Sequence, residues 1–385
     1  MKTICVVTTT RADYGLLYSP IKEILKLETV QVKIVVTGTH LSQKHGYTVD
    51  VIRQDGFQID SEIDIGIQGD RPKDILKIMS NTLLKFSDYF EQSRPDIVLL
   101  LGDRFEVFSI AQAAFIHNIA IAHIHGGEVT EGALDDAFRH SITKMAKIHF
   151  VANDIYRKRV IQLGEDPQKI VVSGAPGLDN IKNLKLLSRS ELEGSLGVKF
   201  KAKNILCTFH PVTSNESIST KETTSLFAAI SELDIDTNVF ITMPNADSYS
   251  SIVESEVHRL RKLNSDRIFI FTSLGQLRYL SLMKEVDLVL GNSSSGIIEA
   301  PFLKKAVVNV GIRQQGRVTS GHVIQASGDK QSISKAIALA FSNSFQAKLQ
   351  NIESNYGKGD AGEKIASALS IFIDDGIPKK FYDLA

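Results

Sequence analysis

Short runs of β-branched and other apolar residues recur through this chain, each ending in a polar turn and followed by a longer amphipathic segment. "TICVVTT", "VQVKIVVTG", "DIVLLLGD", "AIAHIHGG", "IHFVAN" and "KIVVSG" read as strands in the first half. Between them, segments such as 72–92 and 105–117 carry apolar residues at helical spacing. Strand, helix, strand in that order predicts a parallel sheet covered on both faces. A charged stretch with no strand in it, residues 183–203, interrupts the pattern. It then restarts with "NILCTFHP", "NVFITMPN", "RIFIFTS", "DLVLGNSS" and "AVVNVG". Both halves open on a cysteine-bearing strand that runs into a polar turn. The expected fold is α/β, with two doubly wound Rossmann-like domains facing a cleft. We place them at residues 1–185 and 186–365, with 366–385 as a helical segment able to cross back to the first domain.

The length of 385 residues already favours two cores over one. Lys+Arg and Asp+Glu both number 44, so no global field draws in nucleic acid or a membrane surface, and neither partner is expected. An anionic ligand must instead meet a local group of cations. Cys5 and Cys207 fall inside apolar runs, as small buried hydrophobes do, and suggest no disulfide framework. The first apolar run is broken by Arg11 and Asp13, too early for a signal peptide, and no run reaches the ~18 apolar residues of a membrane span. A cytoplasmic location is the expectation.

Open α/β sheets bind ligands at the carboxyl ends of their strands, so the strand ends carry the functional reading. Neither G-x-G-x-x-G after a first strand nor G-x-x-x-x-G-K-[ST] occurs, which removes the dinucleotide fingerprint and the Walker loop. "GNSSSGIIEAP", residues 291–301, still has the form of a phosphate turn: small residues lead into a helix whose free N–H groups and dipole favour an anion. Ser293, Ser294 and Ser295 add hydroxyl donors; the alternative is an ordinary N-cap cluster. Glu299 follows where an acid can accept both ribose hydroxyls, with a solvated helix charge as the alternative. Arg313 and Arg317 in "GIRQQGR" follow the next strand, and an arginine fork suits a diphosphate. His210, held by Pro211 at a strand end, can donate to a diphosphate or a leaving oxygen, and Arg11 occupies the matching place in the first half. Together these residues describe a pocket for a nucleoside diphosphate linked to something in the first domain.

Residues 121–145, "IAHIHGGEVTEGALDDAFRHSITKM", gather three histidines and several acids around two glycines. As a helix, the stretch would bury Leu134, Ala137, Phe138, Ser141, Ile142 and Met145 and pair Asp135 with Arg139 and Asp136 with His140. His123 and His125 point the same way from a strand and raise a metal alternative. No His-x-x-x-His or cysteine partner supports it, so acid/base chemistry is preferred and no metal is expected. Asp103 in "LGDR", His125, Glu128 and Asp135 lie where a sugar on the diphosphate would be.

"TTTRADYG", "LGDRFE", "HIHGGE", "DDAFRHSITK", "FHPVT", "GNSSSGIIEAP" and "GIRQQGR" occur in that order between about residues 3 and 320. This ordered set resembles the hydrolysing UDP-N-acetylglucosamine 2-epimerases of bacterial sialic acid synthesis. The resemblance implies a glycosyltransferase-B-like fold and anti elimination of UDP to a 2-acetamidoglucal, then hydration to N-acetylmannosamine. It implies no metal and no nicotinamide, hence no cofactor, and a homodimer or dimer-based oligomer. By motif, Asp103 and Asp135 match catalytic acids, while His210, Ser293, Ser294, Glu299 and Arg313 match UDP-binding positions, with Arg11 and Asn245 nearby. One departure matters: many relatives read "HIEGGE", with a catalytic glutamate where this chain has His125. The proton-handling role therefore falls to His125 or shifts to Glu128. Rival readings are the same reaction on a UDP-2,4-diacetamido-2,4,6-trideoxy sugar of a legionaminic acid pathway, a non-hydrolysing epimerase, and a glycosyltransferase of shared fold. A nucleotide-sugar sensor without turnover is a fourth, and the density of acids argues against it.

Overall fold

The apolar runs pair as parallel strands in two separate sheets. The computed structural model describes all residues except 70, 131–133, 213–214, 245–248, 273, 373–378 and 385. Residues 1–180 and 356–385 form one unit and residues 181–355 the other, where the sequence reading set the changes at 185 and 365. In the first unit the strands are β1 (Lys2–Thr8), β2 (Val30–Thr37), β3 (Ser61–Ile63), β4 (Ile97–Leu101), β5 (Ala120–Ile124), β6 (Ile148–Val151) and β7 (Ile170–Val172). Their order across the sheet is β3-β2-β1-β4-β5-β6-β7. The second unit holds β8 (Lys203–Thr208), β9 (Thr237–Thr242), β10 (Ile268–Phe271), β11 (Leu288–Gly291), β12 (Ala306–Val310) and β13 (Val323–Ala326). These are ordered β10-β9-β8-β11-β12-β13.

Helices cover both faces of each sheet, which is why the central strands read as continuous apolar runs. Successive side chains of β1 show the consequence. Ile4 and Val6 pack with Leu17, Ile21, Ile365 and Leu369, whereas Cys5 and Val7 pack with Phe86, Phe90 and Ile110 on the other face. In the second unit Cys207 packs with Leu226 and Val257, and Leu206 with Leu282 and Met283. β3 and β13 have no counterpart in the sequence reading. "SEI" and "VIQA" are short edge strands, partly exposed and polar enough to read as loop.

Helix Ala361–Ile371 belongs to the first unit and packs on helix Arg11–Leu25. Its first free N–H groups, Ala361 and Gly362, donate to Asp179 at 3.0 and 2.6 Å, and the Ser19 hydroxyl donates to the same carboxylate at 2.8 Å.

Each sheet reverses direction once, between β1 and β4 and between β8 and β11. Crevices at such switch points are where doubly wound sheets hold ligands. The residues just beyond these four strands are Thr9–Arg11, Gly102–Asp103, Phe209–His210 and Asn292–Ser293.

Gly291 makes the second switch point possible. Its φ is 129°, and a Cβ there would lie 2.0 Å from the Thr208 carbonyl oxygen. Gly291→Ala should therefore cost more than the roughly 1–3 kcal/mol of backbone strain alone, read as a lower urea midpoint for unfolding. An unchanged midpoint would contradict this packing.

Candidate active site

The first unit gathers its titratable groups by fixing two turns. After β4, Gly102 turns the chain with φ 83° and delivers Asp103. The Gly102 carbonyl accepts from His123 Nε2 at 2.8 Å, and His123 Nδ1 lies 3.2 Å from the Thr143 hydroxyl. Burial pushes the His123 imidazole down to about 3, so it is neutral at ordinary pH. A neutral ring has one N–H, and the carbonyl takes it. His123 therefore holds the Asp103 turn; it is not a proton carrier and not a ligand.

The second turn follows β5. His125 adopts φ 70°, a left-handed conformation that costs a residue with a Cβ and is often kept at functional sites. Gly127, at φ 77°, lies so close to helix Asp154–Gln162 that a Cβ would be 2.5 Å from the Tyr156 carbonyl oxygen. This turn brings His125 Nδ1 to 2.7 Å from Glu128 Oε1, and Glu128 is 4% exposed. The carboxylate accepts from the Nδ1 side, which leaves Nε2 as the ring atom able to exchange a proton.

Arg139 joins the two turns. Its guanidinium is nearly fully buried and donates to the Glu128 carbonyl at 2.9 Å, Asp136 Oδ1 at 2.6 Å, the Thr130 hydroxyl at 3.2 Å and Asp103 Oδ2. Thr130 N–H closes the loop onto Asp136 Oδ1 at 2.9 Å. Protein bulk and then the neighbouring Asp103 carboxylate push the Asp135 carboxyl up. A carboxyl pushed up in this way suits a proton donor. Arg104 adds a cation, held by the buried Glu106 through bonds of 3.2 and 2.9 Å.

Helix Leu134–Met145 corrects the sequence reading. It buries Arg139, Ile142 and Thr143, whereas Leu134 is 67% exposed and Ala137 is also open to solvent. Arg139 bonds Asp136 and Asp103, not Asp135, because its guanidinium is drawn under the helix to the β4 and β5 turns. The expected Asp136–His140 pair is present at 3.6 Å.

In the second unit Asn292, fully buried, organises the turn. Its side chain accepts from His210 N at 2.7 Å and donates to His210 O at 2.8 Å, while its carbonyl accepts from Arg313 Nη1 at 3.1 Å and Gln314 Nε2 at 2.9 Å. Burial, and then Arg313, push His210 down to about 4, and its buried Nδ1 has no hydrogen-bond partner among the described residues. Ser293 caps helix Ser294–Phe302, accepting from Ser295 N at 3.4 Å, and Ser295 Oγ lies 2.6 Å from the Tyr279 hydroxyl. Ser293 Oγ also lies 3.2 Å from Ser295 Oγ, so both hydroxyls are engaged with protein, and Ser294 begins the helix. Burial raises Glu299 to about 7 against its backbone hydrogen bond and then the pull of Arg317, and among the described residues its buried Oε2 has no hydrogen-bond partner. Glu222, absent from the sequence reading, supports the neighbouring loop: it accepts from Ile312 N–H and fills space that a Cβ on Gly311 or Gly328 would occupy.

Arg11 is exposed as the first residue of its helix, after a capping box formed by Thr10 and Asp13. Asn245 lies outside the described residues. Among the described residues no three His, Cys, Asp or Glu side chains are grouped to hold a metal ion, and no helix is long and apolar enough to cross a membrane.

A family model described as UDP-N-acetylglucosamine 2-epimerase matches residues 22–370. The chain belongs to this family, in its hydrolysing branch. It is 37% identical to the GDP/UDP-N,N'-diacetylbacillosamine 2-epimerase (hydrolyzing) of Campylobacter jejuni, covering 84% of each chain. It is 36% identical to the polysialic acid biosynthesis protein P7 of Escherichia coli over 100% of this chain and 98% of that one. A UDP-GlcNAc 2-epimerase from Neisseria meningitidis, solved bound to UDP-GlcNAc, superposes with a TM-score of 0.76 at 22% identity, over 96% of this chain and 100% of that one. That likeness gives the fold, two Rossmann-like units of glycosyltransferase-B type.

What the sequence missed is the holding role of His123, Asp136 and Arg139, which it read only as a metal alternative and as helix ion pairs, and of Asn292. The one legible signal was an arginine three and four residues after two aspartates, which as a surface pair carries little information.

Glu299 yields a pH dependence. Above about 7 its carboxylate can accept from ribose hydroxyls; below, it is protonated and loses that capacity. UDP affinity measured by calorimetry should fall about fivefold between pH 7 and pH 6, and Glu299→Gln should flatten the curve. Parallel curves for the two proteins would remove Glu299 from nucleotide binding.

Proposed function

We propose that this epimerase-family chain converts UDP-N-acetylglucosamine to UDP and free N-acetylmannosamine, supplying sialic acid synthesis. The observation that carries the reading is the Arg139-linked array of Asp103, Glu128 and Asp136, with His125 bonded to Glu128, in a chain of the hydrolysing epimerase family. A binding protein would have no use for a buried arginine that draws so many acids together.

In this mechanism the second unit grips the nucleotide. The N–H groups at Ser293–Ser294 and the Arg313 guanidinium take the diphosphate, Glu299 takes the ribose, and the neutral His210 donates to the oxygen that leaves. Arg11 and Asn245 remain candidates for UDP contacts. The first unit handles protons. His125 Nε2, oriented by Glu128, removes the proton from sugar C2 as the C1–O bond to UDP breaks, leaving a C1=C2 double bond. Asp103 then takes a proton from water, whose hydroxyl adds at C1, and Asp135, whose carboxyl is pushed up, returns a proton to C2 on the opposite face. Base and acid from opposite faces invert C2. The assembly and location belonging to this proposal, a homodimer acting in the cytoplasm, rest on the sequence resemblance.

A second reading keeps the reaction and changes the sugar. The Campylobacter jejuni relative, 37% identical, is named for diacetylbacillosamine, while the Escherichia coli relative at 36% is named for polysialic acid. Under that reading the substrate is UDP-2,4-diacetamido-2,4,6-trideoxyglucose.

Turnover of each nucleotide sugar in deuterium oxide tests both readings together. The expected product is UDP plus a free manno-configured sugar with deuterium at C2, formed faster from UDP-N-acetylglucosamine. Faster release from the trideoxy sugar selects the second reading. Protium retained at C2 of the released sugar contradicts elimination, and label on an intact UDP-sugar would mark a non-hydrolysing epimerase.

A further inference from the structure

Far along the chain, Lys379 reaches the helix that carries the acid/base groups. Its ammonium donates to the Thr143, Lys144 and Ala146 carbonyl oxygens at 3.2, 2.8 and 2.7 Å, and pairs with Glu165 Oε2. Thr143 and Lys144 lie in the last turn of helix Leu134–Met145, where carbonyl groups have no i+4 N–H partner in the helix and Thr143 O accepts only a longer bond from Ala146 N at 3.2 Å. A cation there meets both the free carbonyls and the negative end of the helix dipole.

Glu165 is 1% exposed and is shared by three bases: Lys379, Lys144 Nζ at 2.8 Å from Oε1, and His149 Nε2 at 3.0 Å from Oε2. Lys144 also donates to the Leu163 carbonyl at 3.0 Å. The residues after Lys379 continue the contact. Tyr382 N–H donates to the Gly164 carbonyl at 2.9 Å, the Phe381 ring lies over Gly164 so closely that a Cβ would be 2.3 Å away, and Lys144 Nζ stands 4.9 Å from the Phe381 ring centre. Burial pushes Lys379 down to about 8 while Glu165 holds it up, so the ammonium is charged near pH 7.

A continuous chain of contacts leads from here to the site. Lys379 binds the Thr143 carbonyl, the Thr143 hydroxyl lies 3.2 Å from His123 Nδ1, and His123 Nε2 bonds the Gly102 carbonyl next to Asp103. We infer that Lys379 is a positioning residue, and that segment 379–382 clasps the carboxyl end of helix Leu134–Met145 to hold Asp135, Asp136 and Arg139 in register with the Asp103 turn. None of these contacts touches the nucleotide turn of the second unit, so the clasp acts on turnover and leaves UDP binding alone. The inference rests on the reaction proposed above for its kinetic readout.

The test uses the full chain carrying Lys379→Met, Lys379→Arg or Phe381→Ala. Glu165 keeps Lys144 and His149 in each, so the buried carboxylate stays paired. Lys379→Met should lower kcat at least tenfold, leave KM and UDP affinity within twofold, and speed amide exchange across residues 134–145. Lys379→Arg, which keeps the cation, should recover most of kcat. Phe381→Ala should show the same pattern more weakly, and it decides the matter if Lys379→Met does not fold. Unchanged kcat and exchange in Lys379→Met, or in Phe381→Ala in that case, would overturn the inference, as would an equal loss of UDP affinity. Amide exchange needs no turnover. A chain inactive on both UDP-sugars with faster exchange in the variant would therefore defeat the proposed reaction while keeping the clasp.

Discussion

The buried guanidinium of Arg139 sets the geometry on which the site depends. A charge removed from water is tolerated only when its donors are matched by well-placed acceptors. Arg139 finds them on three separate segments: Asp103 after β4, the Glu128 carbonyl and Thr130 after β5, and Asp136 on its own helix. Satisfying one side chain therefore fixes the loops against one another. It also offsets the mutual repulsion of the acids it pairs, while protein bulk and then the Asp103 carboxylate push the Asp135 carboxyl up. His123 serves the same end by a neutral route, since its burial at about 3 makes it a fixed donor to the Gly102 carbonyl.

The second unit solves a different problem with backbone. Gly291 allows Asn292 to follow β11 at close approach to β8, and the side chain and carbonyl of Asn292 then hold His210 and Arg313. Among the described residues, the polar atoms buried there without hydrogen-bond partners include His210 Nδ1, Glu299 Oε2, Gln314 Oε1 and Glu222 Oε2. Such atoms are uncommon in folded proteins. Burial raises the Glu299 carboxyl to about 7, against its backbone hydrogen bond and the nearby Arg317.

Much of the fold was legible in the sequence because buried parallel strands must be apolar on both faces, and β1, β4, β5, β8 and β11 are nearly all buried. The edge strands β3 and β13 escaped, since a half-exposed run of three or four residues carries no such signature. In the candidate site, the residues to which the proposal gives chemical roles were legible as positions because most of them follow strands. The residues that hold them could not. The helix 134–145 turned its buried face by the width of an arginine, a choice made by partners after β4 and β5 and invisible to periodicity along the helix itself. Lys379, more than two hundred residues from the carbonyl groups it binds, is the extreme case.

The proposed reaction assigns a division of labour to these two kinds of construction: proton chemistry organised by Arg139, nucleotide binding organised by Asn292. Calorimetric UDP binding and steady-state turnover measured together on Arg139→Met test it most directly. The account predicts a fall in turnover of about 10²-fold or more with UDP affinity held within about twofold of the parent. Turnover that survives the substitution, or UDP affinity that falls in step with it, would contradict the account.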